Sequence, residues 1–234
     1  MRRLRVMTYN IHRGRGVDMK HDLGRIAAVI ESYEPDVIAL QEVDVGCKRS
    51  GGIDQAHELA SRLGMDMAFA PNLEWTNGER YGIATLTKLP IQSSRQLKLP
   101  QQYRSEPRSS LITVLEWREG HVVEMINTHL SILFKERPGQ VAAIAAAMAN
   151  EALIVAGDFN MTPWSPAYRA LRRDSFLHSA TRFARTWPAP APFMPLDHIL
   201  YRGQVEVVRA EAWSGGPART ASDHLPVVVE LQAA

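Results

Sequence analysis

Two periods of apolar residues run along the chain, and they divide it into short strands and a few amphipathic helices. Residues 4–10, with Val6 and Tyr9, predict a first strand, and residues 11–21, with Gly14 and Gly16, predict a loop. Asp22 can cap a helix whose apolar positions Leu23, Ile26, Ala27 and Ile30 follow the helical period and which must end before Pro35. Val37-Ile38-Ala39-Leu40 then predicts a buried strand ending at Gln41-Glu42, which completes a strand, helix, strand unit. Asp54 opens a second helix with Leu59, Ala60 and Leu63 inward and Gly64 just past its end.

Strand-like runs follow at residues 67–70, 81–87, 111–117 and 122–128. A helix over 140–150 leads into a buried strand at 153–156, and the pattern closes with runs at 196–201, 205–209 and 227–231. Pro188, Pro190, Pro192 and Pro195 make residues 187–195 a loop. About eight or more strands with interspersed helices favour an α/β sandwich of two packed sheets over a bundle. No repeat or compositional break divides the chain, so one domain over 1–234 is expected.

Composition narrows the picture. A chain of 234 residues that is 45% hydrophobic and 22% charged can bury a core without staples. Its 27 Lys and Arg against 25 Asp and Glu leave a formal charge of +2, so attraction to polyanions must come from local patches. A single cysteine, Cys47, excludes an intrachain disulfide and a Cys-rich zinc module. Asn10, His12 and Arg13 interrupt any secretory signal behind the basic N-terminus, and the apolar stretch at 141–149 falls far short of the roughly 20 residues of a membrane helix. The expected location is the cytoplasm.

Candidate chemistry lies where apolar runs end. Thr8-Tyr9-Asn10, Leu40-Gln41-Glu42, Asn127-Thr128-His129, Gly157-Asp158-Phe159-Asn160, Leu196-Asp197-His198 and Ser222-Asp223-His224 all close on acidic, amide or imidazole groups. Two stacked sheets can bring such ends to one edge. On an extended backbone Asp158 and Asn160 point to the same side with Phe159 inward, which sets an acceptor for water beside a donor for an oxyanion. The neighbours Asp223 and His224 diverge, so Asp197 is the candidate partner of His224, leaving Asp223 to face a metal or its water. Glu42 is the first choice among the carboxylates for a hard cation such as Mg²⁺, with the Asn10 amide beside it. A cation, a water-positioning carboxylate and the donors His129 and Asn160 suit attack of water on a phosphorus ester. Acyl transfer fits poorly, because Ser109, Ser110 and Ser222 stand in no nucleophile-elbow pattern.

These motifs, with Tyr81-Gly82-Ile83-Ala84-Thr85-Leu86-Thr87-Lys88 between them, resemble the endonuclease/exonuclease/phosphatase superfamily in order and spacing over nearly the whole chain. The resemblance implies a four-layer α/β sandwich, two packed mixed sheets flanked by helices, with the site at one edge. It implies a metal site at Asn10, Glu42 and Asp223, taking Mg²⁺ or Mn²⁺, a phosphate-contacting His129, and a water-activating or water-orienting Asp158. By the same resemblance Asn160 is the transition-state donor, Asp197 the partner of His224, and His224 a general base or phosphate ligand. Ile83 stands where many relatives carry Asn, and Thr87 replaces a usual Ser. Arg137 to Gln140 resembles an Arg-x-x-Gln pattern of small bacterial relatives whose substrates are often unassigned.

The expected activity is hydrolysis of a phosphodiester or phosphomonoester. Arg169, Arg172, Arg173, Arg182 and Arg185, relieved only by Asp174, offer either a track for a nucleic-acid backbone or an ordinary solvated helix face. A small phosphorylated metabolite or a lipid headgroup is the competing substrate, with Trp75, Trp164 and Trp187 in predicted loops. The non-enzymatic alternative is a catalytically silent phosphate-binding or interaction module on the same scaffold.

Overall fold

The computed structural model describes residues 3–102, 104–181 and 183–233. The first half forms β1 (Arg3–Asn10), α1 (Leu23–Glu31), β2 (Val37–Val45), α2 (Gln55–Leu63), β3 (Asp66–Glu74) and β4 (Arg80–Thr87). It is followed by β5 (Ile91–Lys98), β6 (Ser109–Arg118), β7 (His121–His129), α3 (Arg137–Ala147) and β8 (Leu153–Asp158). The chain ends with α4 (Pro166–Asp174), β9 (His178–Ser179), β10 (Asp197–Arg202), β11 (Val205–Ala212), α5 (Ala218–Ala221) and β12 (Val227–Ala233).

The capping residues act as their chemistry dictates. Asp22 and Asp54 accept the backbone N–H of Arg25 and His57 at the starts of α1 and α2, and Gly64 ends α2 in the left-handed conformation that glycine adopts at little cost. The third helix begins three residues before its predicted start, since Pro138 fits a first helical turn, where no N–H is needed.

Two six-stranded mixed sheets result, in the orders β11-β12-β1-β2-β4-β3 and β5-β6-β7-β8-β10-β9. Each has a parallel pair at its centre, β1 with β2 through α1 and β7 with β8 through α3. Strand alternation decides which face each residue takes. Val6, Ala39, Met125, Ile154 and Ile199 meet between the sheets. Met7, Ile38 and Leu40 pack outward against Ile26, Ile30 and Leu59 of the first two helices, and Ile126, Val155 and Leu200 pack outward against Ile144 and Leu171 of α3 and α4. The layers therefore run helix, sheet, sheet, helix. No helix among the described residues is long and apolar enough to cross a membrane.

Candidate active site

The same alternation builds the site. Asn10, Gln41, Asn127, His129, Asp158 and Asp197 share the parity of the residues packed between the sheets, so their side chains enter the inter-sheet layer near one edge. Register completes the placement, with Asp158 opposite His129 on one neighbouring strand and Asp197 on the other. Gly157 permits the approach, because a Cβ there would lie 1.9 Å from the backbone oxygen of Thr128. Beneath the edge, Gln41 Nε2 donates to Asn127 Oδ1 (2.8 Å), while Asn127 Nδ2 donates to the carbonyls of Leu40 (3.1 Å) and Ala84 (2.8 Å). These buried bonds tie the two sheets together under the polar residues.

His224 and Asp223 diverge. His224 Nδ1 lies 2.8 Å from Asp197 Oδ2, which also accepts from the Thr186 hydroxyl, and its Nε2 lies 3.8 Å from Asp158 Oδ2. Burial opposes the charged ring, but Asp197 and Asp158 outweigh it and raise the His224 pKa to about 10. Asp223 turns instead toward His12, with Oδ1 3.5 Å from Nδ1. Ser222 anchors the segment by donating to the backbone oxygen of Asn10 (2.7 Å).

His129 is held in the opposite state. Burial, then the charges of Arg108 and His224, keep it well below the ordinary histidine range. Arg108 Nη1 approaches its Nδ1 at 2.9 Å, and its Nε2 lies 3.5 Å from Asp158 Oδ2. Asp158 is raised to about 6, first by burial and then by the like charge of Asp197.

Two backbone features differ from expectation. Glu42 does not end its strand. It sits inside β2 at φ 56°, where the pairing with β4 shifts between Leu40 and Val43. The bulge interrupts the alternation that would send Glu42 to the helix-covered face, and its Oε1 accepts from Asn10 Nδ2 at 3.1 Å. Likewise Asp158 and Asn160 are not brought together by an extended backbone. Asn160 takes a left-handed conformation (φ 50°), and its own N–H donates to Asp158 Oδ1 (2.9 Å) while its amide donates to the Leu130 carbonyl (3.0 Å). Phe159 between them is buried, as expected.

Asn10 links the parts. Its Nδ2 donates to both Glu42 Oε1 and Asp158 Oδ2 at 3.1 Å, and its Oδ1 accepts the N–H of His12. Ligand atoms of Asp158, Asp197 and His224 fall within 4.8 Å of one another. That trio contains a short, charged Asp197–His224 pair, so a cation there would compete with the proton. Glu42 and Asp223, half-buried at the mouth of the same edge, offer hard oxygen atoms without that conflict. The charges of Asp223 and Glu42 both act on the His12 ring, so two carboxylates share that mouth, a donor set that fits a divalent ion.

The sequence matches the endonuclease/exonuclease/phosphatase family over residues 7–224. The chain belongs to that family. Among solved structures it resembles an endonuclease/exonuclease/phosphatase from Beutenbergia cavernae at 24% identity and TM-score 0.83, covering 100% of this chain and 72% of that one. It also resembles the human Nocturnin catalytic domain with bound sulfate, at 23% identity and TM-score 0.77, covering 99% and 95%. A Bacteroides thetaiotaomicron mannosyl-6-phosphatase aligns at 21% identity and TM-score 0.79, covering 98% and 99%. No curated protein matches the chain.

Ile83 fills a buried apolar cluster with Ala68, Ala70 and Leu111. Arg169, Arg172 and Arg173 lie on α4 away from its buried face of Ala167, Tyr168 and Leu171, and Arg173 pairs with Asp174. Arg182 lies outside the described residues. Sequence reasoning missed Arg108, Thr186 and His12 as neighbours of the site. His12 follows Asn10 closely enough to be suspected, whereas Arg108 and Thr186 carry no local signal, because only strand pairing and loop folding bring them to His129 and Asp197.

Proposed function

We propose that this protein is a divalent-metal-dependent phosphoesterase that hydrolyses a phosphodiester or phosphomonoester by in-line attack of water. The observation that supports it best is the unbroken contact path from Glu42 through Asn10 to Asp158, flanked by His129 and by the Asp197–His224 pair. Glu42 and Asp223 would hold Mg²⁺ or Mn²⁺, with Asn10 fixing Glu42 in place. Bound there, the ion supplies charge neutralisation and polarisation of a phosphoryl oxygen.

The protein's own groups divide the remaining work. Asp158, its basicity raised by burial, orients the attacking water and takes its proton. Neutral His129 donates from Nε2 to a phosphoryl oxygen. Asn160 keeps one amide hydrogen for the transition state while the other holds Leu130. His224 enters as a cation locked by Asp197, which favours a phosphate-ligand role over that of general base. The phosphatase named among the neighbours supports chemistry of this class on the fold.

The test is a panel of generic phosphodiester and phosphomonoester, single- and double-stranded DNA, RNA, inositol phosphates and phospholipid headgroups, each with Mg²⁺, with Mn²⁺ and with chelator. Turnover that requires metal and drops by two orders of magnitude or more in Glu42→Ala and His224→Ala is expected. Absence of turnover on every substrate, or variants as active as the wild type, would overturn the reading and leave a silent phosphate-binding module.

A further inference from the structure

The Arg137-x-x-Gln140 motif builds a loop rather than touching the reacting groups. Arg137 donates to the carbonyls of Ser131 (Nε, 2.8 Å) and Ile132 (Nη2, 2.6 Å), and Gln140 Oε1 accepts the N–H of Ser131 (2.9 Å). The Ser131 hydroxyl accepts the N–H of Leu133 (3.1 Å). The result is a fixed turn that presents three successive apolar side chains outward, Ile132 at 67% exposure, Leu133 at 37% and Phe134 at 72%. Runs of exposed apolar residues oppose folding and solubility unless they meet something.

This loop leaves the site directly. It begins two residues after His129, and Leu130 is tied at its N–H to the Asp158 backbone oxygen and at its carbonyl to Asn160. A second apolar element lies on the loop after β8. Trp164, four residues after Asn160, is 60% exposed and stacks at 5.7 Å on Phe183, itself 59% exposed. The two loops precede α3 and α4, which are neighbours, since Pro138 and Pro166 line one groove between them.

We infer that these loops form an interfacial contact that seats the catalytic edge on an anionic lipid surface. Aliphatic Ile132 and Leu133 give a nucleobase no ring to stack on, whereas Trp and Phe beside aliphatic residues suit the boundary between headgroups and acyl chains. The fringe has matching charge. Lys135 stands over the Phe134 ring at 5.9 Å, Arg185 is exposed two residues from Phe183, and the acidic Glu136 is turned inward onto Ser105 and the N–H of Gln102. The preferred substrate under this inference is a phosphate ester at a membrane surface. It deepens the phosphoesterase reading, yet association with lipid needs no turnover, so either can fail alone.

The test is sedimentation of the full chain with phosphatidylcholine vesicles and with mixed phosphatidylcholine/phosphatidylglycerol vesicles, at low and high salt. Binding to the mixed vesicles, partly weakened by salt and reduced about tenfold or more in Ile132→Ser/Phe134→Ser, is expected. Both side chains are exposed, so thermal unfolding should stay unchanged, and Phe134→Leu should keep most of the binding. Failure of the wild type to sediment with either vesicle overturns the inference, as does binding indifferent to the serine pair. A rise in KM for soluble nucleotides in Trp164→Ala without vesicle binding would assign the rim to base stacking instead.

Discussion

Arg108 determines which nitrogen of His129 carries the proton. A guanidinium has donors only, so its Nη1 at 2.9 Å obliges Nδ1 of the ring to accept, which leaves the hydrogen on Nε2, the atom facing Asp158. Glu106 holds the same Nη1 at 2.6 Å from the other side. Arg108→Met should let the His129 ring titrate nearer its ordinary value, followed by NMR, and should lower kcat on a generic phosphodiester about ten- to a hundredfold with little change in KM. An unaltered titration would show that Arg108 does not control the ring.

Glu42 carries a backbone conformation that glycine tolerates better. At φ 56° a Cβ is strained, so Glu42→Gly should be about 1 kcal/mol more stable to denaturant than Glu42→Ala. Both should lose turnover by about two to three orders of magnitude. Equal stabilities would mean that the bulge relaxes once the carboxylate is gone.

Acid stability should depend on a histidine outside the site. His198 lies among Phe159 and Tyr168, bonded to the Met161 carbonyl at 2.8 Å, and burial lowers its pKa from 6.5 to about 4. Because the unfolded chain takes up the proton first, this group's contribution is complete above pH 6.5 and is lost as pH falls toward 4. The loss amounts to on the order of 3 kcal/mol. Denaturant unfolding from pH 7 downward should therefore show a flatter acid limb in His198→Gln than in the wild type.

The bonds between the sheets should be costly to break. Asn127→Leu leaves Gln41 Nε2 without its closest acceptor and deprives the Leu40 and Ala84 carbonyls of their amide donor, so a loss of about 3 kcal/mol is expected from chemical denaturation. Adding Gln41→Leu should cost less than the two single changes summed, since the network is already broken. Strict additivity would deny the coupling.

Two strands missed in the sequence share a cause. β5 is an edge strand, and its solvent-facing stretch Gln92-Ser93-Ser94-Arg95 carries no apolar alternation, while β9 has two residues and exists only by pairing with β10. The polar ends at Asn10, His129 and Asp158 could be read because period-2 alternation and strand length fix them locally, whereas Asp197 opens its antiparallel strand instead of closing an apolar run. The bulge at Glu42 and the left-handed turn at Asn160 could not, because each is stabilised by bonds to residues far away or by a local side chain that needs the turn first.

Sequence by itself determined the caps of the first two helices, most of the strands, the residues offered for chemistry and the family to which they belong. Those are properties of short segments, set by side-chain volume, hydrogen-bonding capacity and period. Tertiary structure alone decided that Arg108 meets His129, that Asp197 meets both Thr186 and His224, and that Arg137 and Gln140 shape an apolar rim rather than the reacting centre. Such pairings depend on strand register and on loops that close over separations of 6 to 27 residues, and no local preference encodes a distance that only the folded strands and loops make short.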